Sequence, residues 1–333
     1  MHIKKLLLVF ALLSASCFGA RLRQVAMIDL PGQPGFDTVA IANGALIVAH
    51  SAADTVEIFD LTKRRIIAQV KHVRGASGIA VDDKNARVFL SSPDAHSIVQ
   101  ISSKTWDVDG VIPVQSEVEH IVYVPENSRL YLANSRDQSI AYIDFSDKKS
   151  IHKSDAGGMP ERLAFDPTKK VIYATLQDKH SVASYDLDLK PISQWVLKAS
   201  QPTGMTLDAS SRRLYVAVRY AVVTLDADSG AELSRAGAPA GVDALWLDRA
   251  SGTLYAAAGG TVCIMKTREG GLTPESELNV DVKGRSLAYD PNTKLIYFPG
   301  GREGRSKLLI MKAVDNNAVA FKTKHSKSSA EGQ

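Results

Sequence analysis

One position recurs along this chain at a nearly constant interval, and that periodicity restricts the fold more than any other feature. Ile47, Phe89, Tyr131, Tyr173, Tyr215, Tyr255 and Tyr297 stand 42, 42, 42, 42, 40 and 42 residues apart. A second column follows them: Val56, Ile98, Ile140, Val182, Val222, Val262 and Leu308. A third precedes both, with Ile79, Ile121, Leu163, Met205, Leu245 and Leu287, and with Val39 in a slightly shortened first repeat. Three columns in one register define seven repeats. Units of this length bury their apolar faces only against one another, so the repeats must stack.

Each repeat reads as strands. Runs such as "GIAVDD", "RVFLSS" and "SIVQIS" are short, rich in Val, Ile and Phe, and bounded by polar clusters. The first hairpin turn recurs as "DDKNA", "PENSR", "DPTKK", "DASSR", "DRASG" and "DPNTK", where an Asp can cap its own backbone. Asn43-Gly44 is a two-residue hairpin signal. Four antiparallel strands per repeat, seven times over, predict an all-β seven-bladed β-propeller spanning residues 21–315. In the innermost strands bulky residues alternate with Ala, as in Ile79-Ala80-Val81 and Leu163-Ala164-Phe165. The Tyr column is therefore read as core and not as an aromatic cage. The seventh repeat stops at its third strand, "KLLIMK", while "RQVAMIDLPG" stands alone before the first. The N-terminal strand is expected to complete the last blade and close the ring.

The ends of the chain read differently. Lys4-Lys5, "LLLVFALL" and the small residues of "SASCFGA" form a secretory signal pattern over residues 1–20. The apolar run is too short to span a bilayer, which takes about 20 residues. An extracytoplasmic location follows, either periplasmic or secreted, with lipidation of Cys17 as the alternative. Loss of Lys4 and Lys5 lowers the formal charge from +4 to +2. That is too near balance for a nucleic-acid partner. Only Cys263 then remains, inside the apolar "TVCIM", so no disulfide framework is available and the thiol reads as buried and inert. Residues 316–333 include a Lys- and Ser-rich stretch without periodicity and are expected to be a disordered basic tail. A monomer is expected.

"RLYLANSRDQSIAYID", residues 129–144, resembles the YVTN repeat, which runs Tyr-Val-Thr/Ala-Asn, a polar loop, then Val-x-Val-Ile-Asp. Repeats two, four and seven match in outline, whereas five and six lack the Asn and shorten the loop to "VRYA" and "AGGT". The resemblance covers residues 24–312 and implies a YncE-like seven-bladed propeller, exported and usually without a defined reaction. Its wider neighbourhood includes lactonases and subunits of redox enzymes, so the resemblance specifies the scaffold and leaves the chemistry open.

No motif for a cofactor, a metal or a catalytic nucleophile is present. "DADSGAE", residues 226–232, faintly resembles a calcium loop but lacks the remaining ligand spacing. The candidate site is spatial. In a propeller, the loops leading into each innermost strand share one face with those joining second and third strands. The first set carries Asp37, Glu119, His120, Glu161, Arg162, Asp243 and Arg285. The second carries His50, His96, Asn134, Arg136, His180, Arg219 and Arg302. Ligand binding is expected at Asp37, Glu119, His120, Asn134, Glu161, Arg162, Arg219, Asp243 and Arg285, against the bland reading of solvated loop charges. Three functions fit: a non-catalytic scaffold for a protein or small polar ligand, a lactonase-type hydrolase, and an accessory redox subunit. A hydrolase would need Glu119, Glu161, Asn134 and Asp243 on one cation, or His120 and Arg162 acting on water.

Overall fold

Short alternating strands with self-capping turns leave the chain one way to bury both faces of every sheet, and it takes that way. The computed structural model describes residues 21–269 and 271–314 as seven four-stranded antiparallel sheets in a ring. The expected signal segment, residues 1–20, and the expected tail, residues 316–333, lie outside the described residues. Blade one comprises Val39–Ala42, Ala45–His50, Thr55–Asp60 and Arg65–Lys71, innermost strand first. Blades two to six repeat this order, starting at Ile79, His120, Pro160, Met205 and Ala244. Blade seven has only three strands of its own, Ala288–Asp290, Leu295–Arg302 and Arg305–Val314; its outer strand is Arg21–Asp29. That strand pairs antiparallel with Arg305–Val314 from Leu22↔Ala313 to Asp29↔Lys307, with a bulge between Gln24 and Ala26. The ring is closed as the sequence implies.

Burial follows the three columns. Ile47, Phe89 and Tyr131, like Val56, Ile98 and Ile140, are fully buried. Seven apolar clusters result, one between each pair of neighbouring blades. Strand alternation divides the residues: Ile47 and Ala49 face blade two, while Leu46 and Val48 face blade seven. The Tyr column adds bonds between blades. Tyr131 donates its hydroxyl to Leu187 O at 2.8 Å and Tyr173 to Ala227 O at 2.7 Å, matched positions one blade onward.

The turns are capped by their own carboxylates. Asp166, Asp208 and Asp290 accept from the backbone N–H two residues on, at 2.8, 3.2 and 3.0 Å. Asn43 and Gly44 both adopt positive φ, 46° and 72°, in the two-residue loop between Ala42 and Ala45. Cys263 is buried, and burial pushes its thiol up to about 12.

Candidate functional site

The innermost strands of successive blades touch around the ring, blade one meeting blade seven. Each is preceded by a loop, and the residue two before the inner apolar column occupies the same place in every blade. In blades one to four that residue is Asp37, Ser77, Glu119 and Glu161. In blades five to seven it is Thr203, Asp243 and Arg285. All seven line one cavity of about 210 Å³. Most are held by one device: Asp37 N–H donates to Ala49 O, Glu119 N–H to Ala133 O and Asp243 N–H to Ala257 O, at 3.0, 3.0 and 3.1 Å. Two glycines let neighbouring blades close up here. A Cβ on Gly204 would stand 2.5 Å from Asp243 O, and one on Gly78 3.0 Å from Glu119 O.

Blade four departs from the pattern. A bulge between Pro160 and Leu163 takes Glu161 and Arg162 out of the ladder, and Arg162 N–H donates to Thr175 Oγ1 at 3.0 Å. Bulges of this kind re-aim side chains. Arg162 reaches across to blade six, donating to Asp243 O at 3.1 Å and standing 3.7 Å from its carboxylate. Arg285 Nε lies 3.2 Å from the other oxygen of Asp243. Both arginines thus converge on one carboxylate.

The remaining acids have weaker relief: Arg162 and Arg285 offset part of the cost at Asp37 and Glu161 from a distance, and the Ser77 hydroxyl does so at Asp37 and Glu119. Asp37, Glu119 and Glu161 make no ion pair among the described residues. Burial pushes Asp37 above the ordinary carboxylate range, and Asp243 adds to it. Glu119 is raised by burial and then by Asp37 and Glu161; Glu161 is raised by burial and then by Asp243. His120 Nδ1 accepts from Leu163 N–H at 3.2 Å, which places the ring proton on Nε2. Burial, helped by Arg162, holds its pKa well below the usual histidine value, so the ring is neutral near pH 7. Its one available lone pair is occupied, and water finds no base there.

Seven of the nine predicted residues line this cavity; Asn134 and Arg219 do not. Arg219 lines a neighbouring space of about 290 Å³ that shares Gln177, Thr203, Gly241 and Val242 with the first. Asn134 is fully buried, donates to Ser139 Oγ at 3.1 Å, and borders a separate cavity beside Leu132 and Ile151. It ends a strand and secures its own hairpin. The acid–amide quartet that a lactonase-type cation would need is therefore not assembled. Among the described residues no three His, Cys, Asp or Glu side chains are grouped to hold a metal ion.

The other loop residues also lie off the axis. His50 is buried with Nδ1 3.1 Å from Glu57, His96 stands 3.9 Å from Glu117, and Arg302 pairs with Asp281 at 2.8 Å. Arg136 pairs with Glu117, and His180 accepts from Gln201 N–H. Loops between second and third strands start about one strand spacing, roughly 4.8 Å, farther from the axis. Charge alone did not reveal Ser77, Gln177 or Thr203. For Ser77 and Thr203 the signal was in the register, two places before the inner column.

No family model and no curated protein matches this chain. Among solved structures it is similar to the β-propeller domain of Cps50 (Swd1) from Myceliophteria thermophila, with a TM-score of 0.73 at 13% identity. The similarity covers 88% of this chain and 100% of that one. At that identity it establishes the fold class, a seven-bladed β-propeller, and nothing finer.

Proposed function

We propose that this chain is an exported, non-catalytic scaffold of the YVTN-repeat kind that receives a polar ligand or a protruding loop of a partner at its axial mouth. One observation carries the reading: seven blades each bring one matched residue to a single cavity, and three of the carboxylates there are left unpaired and half-buried. Nothing in ring closure requires that arrangement, since the apolar clusters between blades already hold the ring. Carboxylates kept unpaired at a cost to folding are what a binding surface retains. The basic, apolar and small-residue succession of residues 4–20 supports export, with acylated Cys17 as the anchored variant. The hydrolase reading is weaker, because Asn134 stands apart and His120 has no lone pair to take a proton from water.

Site-specific photo-crosslinking in the native host tests this. A benzophenone side chain at Gln201 or Arg219, exposed in the space that adjoins the mouth, is expected to trap a discrete adduct. The same group at Val111 or Val196, exposed on outer strands, is expected to trap none. Adducts confined to the outer strands would place the binding surface elsewhere.

A further inference from the structure

The polar groups of the mouth are not balanced between donors and acceptors. Four carboxylates face two guanidinium groups, and the close ion-pair contacts of both guanidinium groups go to Asp243. The two hydroxyls at matched positions have backbone acceptors as well. Ser77 Oγ donates to Glu119 O at 2.8 Å and Thr203 Oγ1 to Val242 O at 2.6 Å. Asp37, Glu119 and Glu161, which have no ion pair among the described residues, keep acceptor capacity beyond what Ser77, Arg162 and Arg285 supply.

We propose that the axial mouth recognises an organic cation, a guanidinium or primary ammonium group, presented by a small molecule or by a side chain of a partner. This rests on the reading of the mouth as the binding surface and gives that surface its chemistry. Three features favour a cation with its own N–H donors. The carboxylates come from different blades around the cavity and are not grouped to hold a metal ion, so a branched donor that reaches several of them fits better than a point charge. A cavity of about 210 Å³ accommodates one such head group and a few waters of about 30 Å³ each. Bonds from a charged donor to a half-buried carboxylate are about twice as strong as neutral ones. An anion would meet three unpaired carboxylates instead.

Calorimetric titration with three probes decides it: agmatine, acetyl-Gly-Arg-Gly-amide, and the same peptide with citrulline, which keeps the shape and loses the charge. Agmatine or the arginine peptide is expected to bind at least tenfold more tightly than the citrulline peptide. Agmatine as the tighter of the two points to a free amine, the peptide to a partner's side chain. Glu119→Gln with Glu161→Gln is expected to reduce cation affinity at least tenfold while raising the thermal midpoint of the free protein, which separates lost binding from lost folding. Equal affinity for arginine and citrulline peptides, unchanged affinity in the double variant, or no binding of either cation would overturn the proposal. Gln177→Trp obstructs the mouth and separates the two readings. If it blocks a citrulline peptide that binds as well as the arginine one, the mouth stands and its charge preference falls. If it leaves every measured affinity unchanged, the mouth assignment itself falls.

Discussion

At the scale of single residues, the protein sets two groups of carboxylates against each other, and pH separates them. Glu119 and Glu161 are raised above 4.5 by burial and neighbouring acids, so their ionised forms are less favourable in the folded ring than in the unfolded chain. Their contribution is therefore destabilising above the raised values and is relieved as pH falls through them. Asp144 behaves oppositely. Burial resists its ionisation, but the Ser146 hydroxyl and Arg129 pull it down to about 2 from 3.8. It stabilises the fold above 3.8, and that stability is lost as pH falls toward 2. Thermal midpoints measured against pH should thus rise on mild acidification and fall on further acidification. In Glu119→Gln with Glu161→Gln the rise should shrink while the fall persists; an unchanged rise would show that these two residues do not cause it. His120 supplies a second test. Leucine there leaves Leu163 N–H without its acceptor, a loss of about 1–3 kcal/mol in denaturant unfolding, whereas the Ala133 and Glu119 ladder bond should be untouched.

At the scale of elements, the repeat columns made the strands legible because the apolar period and the capping Asp recur at fixed offsets. The same columns explain why tyrosine is favoured at one of them. Tyr131 and Tyr173 fill an interface and also bond the neighbouring blade's turn, so phenylalanine at either position should cost about 1 kcal/mol without altering the fold. Chemical denaturation with circular dichroism at the end points measures both. The bulge at Glu161 and Arg162 was not legible, since no residue pattern in "PERLAF" marks where the ladder gives way. The outer strand of blade seven carries the sharpest consequence at this scale. Deleting residues 24–30 removes most of the partner of Arg305–Val314 and opens a sheet edge along Leu308 and Leu309. Aggregation or a large loss of stability is expected. A synthetic peptide of residues 21–32, added during refolding, should restore monodispersity in light scattering; failure of the deletion to destabilise would mean that closure is not made by this strand.

At the scale of the molecule, the ring does what no single blade can, placing residues more than 200 positions apart in sequence, such as Asp37 and Arg285, around one cavity. The set of charges at its centre was readable because each stands one or two residues before an apolar column. Their distribution was not, because Arg162 crosses to blade six through a bulge, and only the folded geometry shows both arginines in close contact with Asp243. Asn134 misled for a related reason: it belongs to the best-matched repeat, yet its amide serves the hairpin of its own blade. The measurement that tests the account most directly is a crystal structure grown with Nα-acetyl-arginine N-methylamide at saturating concentration. A guanidinium group in the axial cavity, within hydrogen-bond distance of Glu119 and Glu161 and away from Arg162, is the predicted result. An unaltered cavity with the ligand elsewhere, or an anion from the crystallisation medium held between those two glutamates, would contradict it.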